Sequence, residues 1–239
     1  MKILSIGNSF SQDAQRYLHN LAKHDGSFIK CVNLYIGGCS LRTHYINMLE
    51  NNKAYSFEFN GETTGLKVSI TDALASDDWD YITLQQVSLL SCKIDSFSPY
   101  IEELAKLCRK YCPRAKLLIH ETWAYETGSE RIKNRGFETD TEMLGEIKPT
   151  YEKAAKLINA DGIIPSGEAL LSARELGITN IHHDTTHASR GVGRYILALT
   201  WYKYLTKNAI ENNDFSDFDV PVSEKERQIA IQAVNKVVN

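Results

Sequence analysis

The stretch KILSIGNSFSQDAQRYLHNLA, residues 2–22, decides the fold class of this chain. It begins with a short apolar run typical of a buried strand, passes through Gly7-Asn8-Ser9, and continues with apolar side chains at helical spacing. The helical positions are Ala14, Tyr17, Leu18, Leu21 and Ala22. A strand that leads through a small polar turn into a helix predicts an α/β protein. The turn either presents Ser9 as a nucleophile or binds an anion such as phosphate with its backbone N–H groups.

Short apolar runs and helical patterns alternate over the rest of the chain, and this order predicts a parallel sheet with helices on both faces. The predicted strands cover 2–6, 28–36, 80–85, 116–121 and 161–164. Later helices are predicted over 98–112, 141–159, 166–176, 188–206 and 223–238. Pro149 is expected to kink or split the helix that contains it. We therefore expect one domain over residues 1–239, a three-layer α/β/α sandwich with a mainly parallel, flavodoxin-like, five-stranded sheet.

A hairpin signal interrupts this alternation. Residues 55–59 and 66–70 alternate apolar and polar side chains, and Asn60-Gly61 lies between the two runs. We expect a small antiparallel insertion here rather than a second domain.

Composition excludes several classes of partner. The net charge of −3 predicts no basic surface for nucleic acid or for an anionic membrane. No run approaches the roughly 20 apolar residues that a membrane-spanning helix needs. The five cysteines lack the spacing of a metal site.

Residues 2–6 are typical of a strand rather than of a signal peptide, so we expect a cytoplasmic protein if Met1 is the native start, and a secreted one if a signal peptide has been removed.

A serine nucleophile needs a neighbouring base, which is usually a histidine oriented by a carboxylate. The segment IHHDTTHASRGVGRY, residues 181–195, carries Asp184 and His187 three positions apart, close to the start of a predicted helix. One short turn can then hold the base and the group that orients it. Two other interpretations stay open at this point. Either Asp184 only caps the helix, or His183 and His187 bind a metal ion with Asp184, although no other His or Cys cluster supplies further ligands.

Together these segments resemble the SGNH hydrolase superfamily of GDSL-like esterases and lipases, over residues 6 to 195. The first block of that superfamily is similar to Ile6-Gly7-Asn8-Ser9-Phe10, with Asn8 where the usual pattern has Asp. The last block, D-x-x-H, matches Asp184 and His187. The second block, N-x-G-x-x-G-x-T, matches at Asn33, Gly38 and Ser40, with Tyr35 in place of the first glycine.

The third block is the weakest match. Most of the superfamily carries G-x-N-D after the third strand, and its Asn donates to the oxyanion, whereas this chain has Leu84-Gln85-Gln86-Val87-Ser88. That run is more similar to the Q-G-E variant of sialate O-acetylesterase-like relatives. The resemblance therefore implies an oxyanion hole formed by the backbone N–H groups of Ser9 and Gly38 and by the Gln86 amide. Gln85 is the second choice for the amide.

The resemblance implies a serine esterase in which Ser9 is the nucleophile, His187 the general base and Asp184 the group that orients the base. It implies no cofactor and no metal ion. The implied substrate is a small-molecule or glycan ester with a short acyl group such as acetyl. The candidate substrate-pocket residues are Phe10, His120, Trp123 and Tyr125.

Two functions of other classes stay open. A protein of this fold could bind a glycan without cleaving it, which the unusual third block favours. A flavodoxin-like protein could bind a small anion or a nucleotide with the first loop. The strings G-x-x-x-x-G-K-[ST] and G-x-G-x-x-G do not follow the first strand, and such a binder has no use for Asp184 and His187.

Overall fold

The computed structural model describes residues 1–238, which form a seven-stranded sheet flanked by helices. The strands lie in the order β4-β3-β2-β1-β5-β6-β7. Their bounds are β1 (Lys2–Gly7), β2 (Lys30–Tyr35), β3 (Tyr55–Phe59), β4 (Glu62–Val68), β5 (Tyr81–Leu84), β6 (Lys116–His120) and β7 (Gly162–Ile164). Strands β2, β1, β5, β6 and β7 are parallel, in the flavodoxin-like order that the sequence predicts. The predicted α/β class and parallel sheet are therefore confirmed.

The prediction of a five-stranded sheet is wrong in count, because the hairpin joins the sheet. Strand β3 pairs antiparallel with β2, and β4 pairs antiparallel with β3. The alternating pattern of residues 55–59 marked the strands correctly, but it could not show that their backbone continues the ladder of β2. Two antiparallel strands thus form one edge of the sheet.

Ten α-helices occur within residues 1–238, and they pack in two sets. Their bounds are α1 (Ser9–Gln15), α2 (Leu18–His24), α3 (Leu41–Leu49), α4 (Ile70–Leu74), α5 (Tyr100–Tyr111), α6 (Glu130–Lys133), α7 (Asp140–Leu157), α8 (Ser166–Glu175), α9 (Val192–Thr206) and α10 (Glu224–Val237). Helix α9 contacts α1, α2, α8 and α10, while α5 contacts α3 and α4. No helix among these residues is long and apolar enough to cross a membrane.

Three helix predictions differ from the structure. The first helical pattern is divided between α1 and α2, and the helix predicted from position 188 begins at Val192. Helix α7 is not split at Pro149, which lies inside it. Proline removes one backbone donor, but burial of Leu144, Ile147 and Tyr151 on the same helix stabilises the segments on either side.

The carboxyl ends of the parallel strands lie at one edge of the sheet, where open α/β sheets bind ligands. Strand β1 lies between β2 and β5, so the turn after β1 lies between the segments that follow those two strands. The central position of β1 is supported by buried polar contacts: Ser5 Oγ lies 2.7 Å from Thr83 Oγ1 of β5 and accepts from Gln15 Nε2 of α1 at 2.6 Å. The contact with Gln15 also holds helix α1 against β1.

Candidate active site

Ser9 is the first residue of α1 and follows the turn that ends β1. The preceding residue, Asn8, caps the helix: its Oδ1 accepts from the Phe10 N–H at 3.0 Å, and its own N–H donates to Ser11 Oγ at 3.1 Å. Position 7 requires glycine because Ser11 packs directly against its backbone: a Cβ here would lie 2.0 Å from Ser11 Oγ. The Gly-Asn-Ser sequence therefore places a partly exposed serine hydroxyl at a rigid helix N-terminus.

His187 and Asp184 meet Ser9 from the other end of the chain. His187 Nε2 lies 2.8 Å from Ser9 Oγ, and His187 Nδ1 lies 2.7 Å from Asp184 Oδ2. Asp184 Oδ1 also accepts the backbone N–H of His187 at 2.8 Å and of Thr186 at 3.1 Å. Partial burial by itself raises the pKa of the Asp184 carboxyl, but these hydrogen bonds outweigh burial and hold its pKa below its usual range. A charged carboxylate thus orients the imidazole that contacts the serine.

The turn that carries His187 is held by the segment after β6. Trp123 Nε1 donates to the Thr186 carbonyl at 2.8 Å, and the Glu126 N–H donates to the Thr185 carbonyl at 2.9 Å. Thr185 has a positive φ of 67°, so this turn is tight. These contacts explain how a short loop without regular structure keeps His187 in place.

Phe10, His120, Trp123 and Tyr125 do not line an open pocket. Each is at most 2% exposed. Phe10 and Trp123 stack with ring centroids 3.9 Å apart, and Phe10 lies beside the His187 ring. The surfaces of these side chains are covered by packing that supports the His187 turn. Their place in a substrate pocket stays a prediction. In proteins, aromatic residues at the end of a strand either pack within the fold or contact substrate, and the sequence alone does not distinguish these roles.

The loop after β2 contributes an exposed backbone beside this turn. Gly38 has a positive φ of 62° and is exposed, and Ser40 caps α3 by accepting the Thr43 N–H at 3.2 Å. The carbonyl of Cys39 accepts from Asn8 Nδ2 at 3.1 Å. The residue before Ser9 thus fastens the Gly38 loop to the start of α1, which brings the first two sequence blocks together.

The two glutamines after β5 have different partners. Gln86 Oε1 accepts from the Leu41 N–H at 3.0 Å, and its Nε2 donates to the carbonyl and to the hydroxyl of Ser96. Its amide is fully occupied within the fold, so the structure does not present it to a substrate. Gln85 Nε2 instead donates to Asn8 Oδ1 at 2.7 Å, next to Ser9. These contacts favour Gln85 over Gln86 as the candidate oxyanion donor, and the role of either residue stays a prediction.

Asp13 is a site residue that the sequence analysis did not identify. It lies one turn beyond Ser9 on α1, is 2% exposed, and accepts from the Ala188 N–H at 3.1 Å and from Arg194 Nε at 2.9 Å. Burial raises the pKa of the Asp13 carboxyl, and the Arg194 guanidinium opposes that shift. The sequence contains one indication of this role: Asp13 is a charged residue next to Ala14, which lies on the apolar face of α1. Asp13 connects the helix of Ser9 with the residue that follows His187.

Three side chains near Ser9 are spaced as metal ligands. One donor atom each from His183, Asp184 and His187 lies within 4.8 Å of the others. However, both His187 nitrogens contact Asp184 or Ser9, and His183 Nδ1 lies 3.0 Å from the Ala188 carbonyl. A metal ion here would have to displace the contact between His187 and Ser9 or Asp184.

Comparisons with known proteins agree with this fold. The sequence profile of a domain of unknown function, DUF4886, matches residues 2–237. A DUF4886 family protein from Bacteroides uniformis ATCC 8492 is 34% identical, with a TM-score of 0.92 over 100% of this chain and 94% of that one. No curated protein sequence shows significant similarity to the chain.

More distant similarity extends to hydrolases. A provisional SGNH hydrolase from Slackia heliotrinireducens is 19% identical, with a TM-score of 0.63 over 86% of this chain and 98% of that one. A carbohydrate esterase family 3 protein from Talaromyces cellulolyticus is 12% identical, with a TM-score of 0.55 over 87% of this chain and 97% of that one. At these identities the similarity establishes the SGNH and GDSL-like hydrolase fold. The resemblance to sialate O-acetylesterase-like relatives stays a prediction.

Proposed function

The chain belongs to the DUF4886 family, and we propose that this member is a serine esterase that hydrolyses short-chain O-acyl esters. One observation carries the proposal: the hydrogen-bonded series of Ser9, His187 and Asp184, with distances of 2.8 and 2.7 Å. A serine hydroxyl is a weak nucleophile unless a base accepts its proton, and this arrangement supplies an oriented base.

The proposed reaction has two stages. Ser9 Oγ attacks the ester carbonyl while His187 Nε2 takes its proton and then donates it to the departing alcohol. Water next attacks the acyl carbonyl while His187 Nε2 takes its proton, and His187 returns that proton to Ser9 Oγ as the acyl–serine bond breaks and the acid leaves. Asp184 stabilises the imidazolium that forms at each stage. Neither stage requires a cofactor or a metal ion.

The proposed oxyanion hole consists of the backbone N–H groups of Ser9 and Gly38 together with the Gln85 amide. Gln85 Nε2 carries two N–H groups, and within residues 1–238 it donates only one hydrogen bond, to Asn8. We propose that its remaining N–H, which has no partner among these residues, points towards the oxyanion position beside Ser9. Amide donors placed where negative charge develops are a large source of rate enhancement in acyl transfer.

The substrate class is proposed as short acyl groups on carbohydrates. The resemblance of residues 84–88 to the Q-G-E variant and the fold shared with a carbohydrate esterase support acetylated sugars as the first compounds to screen. The buried aromatic residues lend no support to sugar stacking, so the proposal for the alcohol part rests on similarity alone.

Binding of an anion, a nucleotide or a glycan without cleavage explains fewer of the contacts among Ser9, His187 and Asp184 than an esterase does. A phosphate or nucleotide bound at the start of α1 would leave Asp184 and His187 without a role. A glycan-binding protein without activity would not need the Ser9 hydroxyl to contact a base. Both nevertheless give different results from an esterase in the same experiment.

The experiment measures hydrolysis of p-nitrophenyl acetate and butyrate by the wild-type protein, by Ser9→Ala and by Ser216→Ala, an exposed serine as the matched control. We expect turnover that is lost only in Ser9→Ala, that falls from acetate to butyrate, and that EDTA does not change. Labelling by a fluorophosphonate is expected at Ser9 alone. Failure of the wild type both to turn over these esters and to become labelled contradicts the proposal.

A further inference from the structure

A chain of buried polar side chains connects helix α9 with the turn that carries Ser9. Each member is at most 2% exposed. In order, the contacts are Trp201 Nε1 to Ser166 Oγ (3.2 Å), Ser166 Oγ to His120 Nε2 (3.0 Å), His120 Nδ1 to Gln85 Oε1 (2.6 Å), Gln85 Nε2 to Asn8 Oδ1 (2.7 Å) and Asn8 Nδ2 to the Cys39 carbonyl (3.1 Å). The proposed mechanism uses Gln85 of this series but not His120.

Counting donors from the active-site end fixes the direction of every hydrogen bond. The Phe10 N–H can only donate, so the Asn8 atom that it contacts is oxygen, and the atom facing the Cys39 carbonyl is nitrogen. Gln85 must then offer nitrogen to Asn8 Oδ1 and oxygen to the imidazole. His120 Nδ1 must consequently carry a proton.

The donors at the Trp201 end of the series indicate the same tautomer of His120. The Trp201 indole can only donate, so it uses a lone pair of Ser166 Oγ. Within residues 1–238, the only other polar contact of Ser166 Oγ is His120 Nε2, so the hydroxyl donates its proton there and Nε2 carries none. A neutral imidazole with its proton on Nδ1 satisfies both ends, and complete burial favours the neutral form by lowering the pKa of His120 to about 3.

We propose that His120 is a positioning residue whose neutral Nδ1–H tautomer orients the Gln85 amide, and through it Asn8 and the oxyanion hole. The positioning role of His120 rests on the proposed esterase function, whereas its tautomer does not. With the proton on Nε2 instead, the Gln85 amide would have to rotate and present oxygen to Asn8 Oδ1. That rotation would break the contact that holds the Ser9 turn and would remove the free N–H beside it.

The first test observes the tautomer directly and needs no substrate. Proton–nitrogen correlation spectra of wild-type protein with ¹⁵N-labelled histidine report which ring nitrogen carries a proton, and His120→Asn identifies the signals. We expect a protonated Nδ1 and a bare Nε2 that do not change between about pH 5 and pH 8. A proton on Nε2, or titration of His120 in this range, overturns the inference and leaves the proposed esterase function intact.

The second test compares two substitutions at the same position. His120→Phe keeps a ring but removes the donor, whereas His120→Asn keeps an N–H close to the position of Nδ1. We expect His120→Phe to lower kcat for p-nitrophenyl acetate by about 10- to 100-fold with little change in KM, as for a misplaced catalytic group, and His120→Asn to recover most of kcat. Equal losses in the two variants, or full kcat in His120→Phe, overturn the inference.

Discussion

His187 Nε2 lies 2.8 Å from Ser9 Oγ, although 178 positions separate the two residues in the chain. The contact depends on the central place of β1 in the sheet, on the α1 cap at Asn8 and on the backbone hydrogen bonds that hold the His187 turn. Most of the following predictions test one of these supports.

Asp184→Asn should lower kcat by about 10⁴-fold, as the equivalent change does in serine proteases. The amide would present N–H groups to His187 Nδ1, which then has to accept, so that Nε2 carries a proton and cannot receive one from Ser9. The measurement is kcat for p-nitrophenyl acetate. The matched control is Asp214→Asn, which alters an exposed carboxylate 2.9 Å from the His24 ring and should leave kcat unchanged. Retention of more than about a tenth of wild-type kcat in Asp184→Asn would contradict its orienting role.

Gln85→Ala and Gln86→Ala should have opposite effects. Loss of the Gln85 amide should lower kcat by about 10²- to 10³-fold, because it removes an oxyanion donor and the support of Asn8. Gln86→Ala should leave kcat near the wild-type value but lower the free energy of unfolding by about 1–3 kcal/mol, because the buried N–H of Leu41 and the partly buried carbonyl of Ser96 lose their partner. Kinetics and urea denaturation of both variants separate these effects. A large loss of kcat in Gln86→Ala, with kcat near the wild-type value in Gln85→Ala, would identify Gln86 as the oxyanion donor.

Asp13→Ala should lower the free energy of unfolding by about 3–5 kcal/mol, the usual cost of removing one partner from a buried ion pair. The Asp13 side chain is 3% exposed, and its loss leaves the Ala188 N–H without its acceptor. Urea denaturation measures the change. Asp78→Ala is the control, because the side chains of Asp78 and its partner Arg114 are both more than 80% exposed, and it should not change stability. Arg194 Nη1 also lies 2.8 Å from Asp219 Oδ2, so a loss for Asp13→Ala as small as that of the control would show that Asp219 alone satisfies Arg194.

Glu121→Gln should stabilise the protein increasingly as pH rises. Burial, with repulsion from Glu168, raises the pKa of the Glu121 carboxyl from 4.5 to about 8. The folded state therefore keeps a proton that the unfolded state loses, so the contribution of this group to stability is complete below pH 4.5 and is lost as pH rises towards about 8. Glutamine stays neutral and keeps an oxygen to accept the Glu168 N–H, which lies 3.1 Å from Glu121 Oε1.

Urea denaturation at about pH 5 and about pH 8 tests this prediction. The difference between Glu121→Gln and the wild type should grow by at most about 1.4 kcal/mol per pH unit. Glu138→Gln, a substitution on the surface, should show the same pH dependence as the wild type. A constant difference between Glu121→Gln and the wild type at both pH values would mean that Glu121 is ionised in the folded protein.

Elements with a simple apolar pattern were predictable. The parallel strands are buried on both faces, so they appear as short apolar runs, and their predicted bounds agree with the structure within about two residues. Helix α3 was missed because its buried positions include His44 and Asn47, so that it lacks an apolar stripe. The hairpin strands were recognised, but their membership of the main sheet depends on backbone pairing with β2 that no local pattern encodes.

The sequence by itself determined the strand–turn–helix that presents Ser9 and the three-residue spacing of Asp184 and His187, because both are local arrangements along the backbone. The tertiary structure decided which glutamine lies beside Ser9. The Gln85 amide meets Asn8 and the Gln86 amide meets Ser96, and folding alone brings these partners to the end of β5. It also decided that Trp123 is buried and supports the His187 turn, because burial depends on contacts between segments that are far apart in the chain.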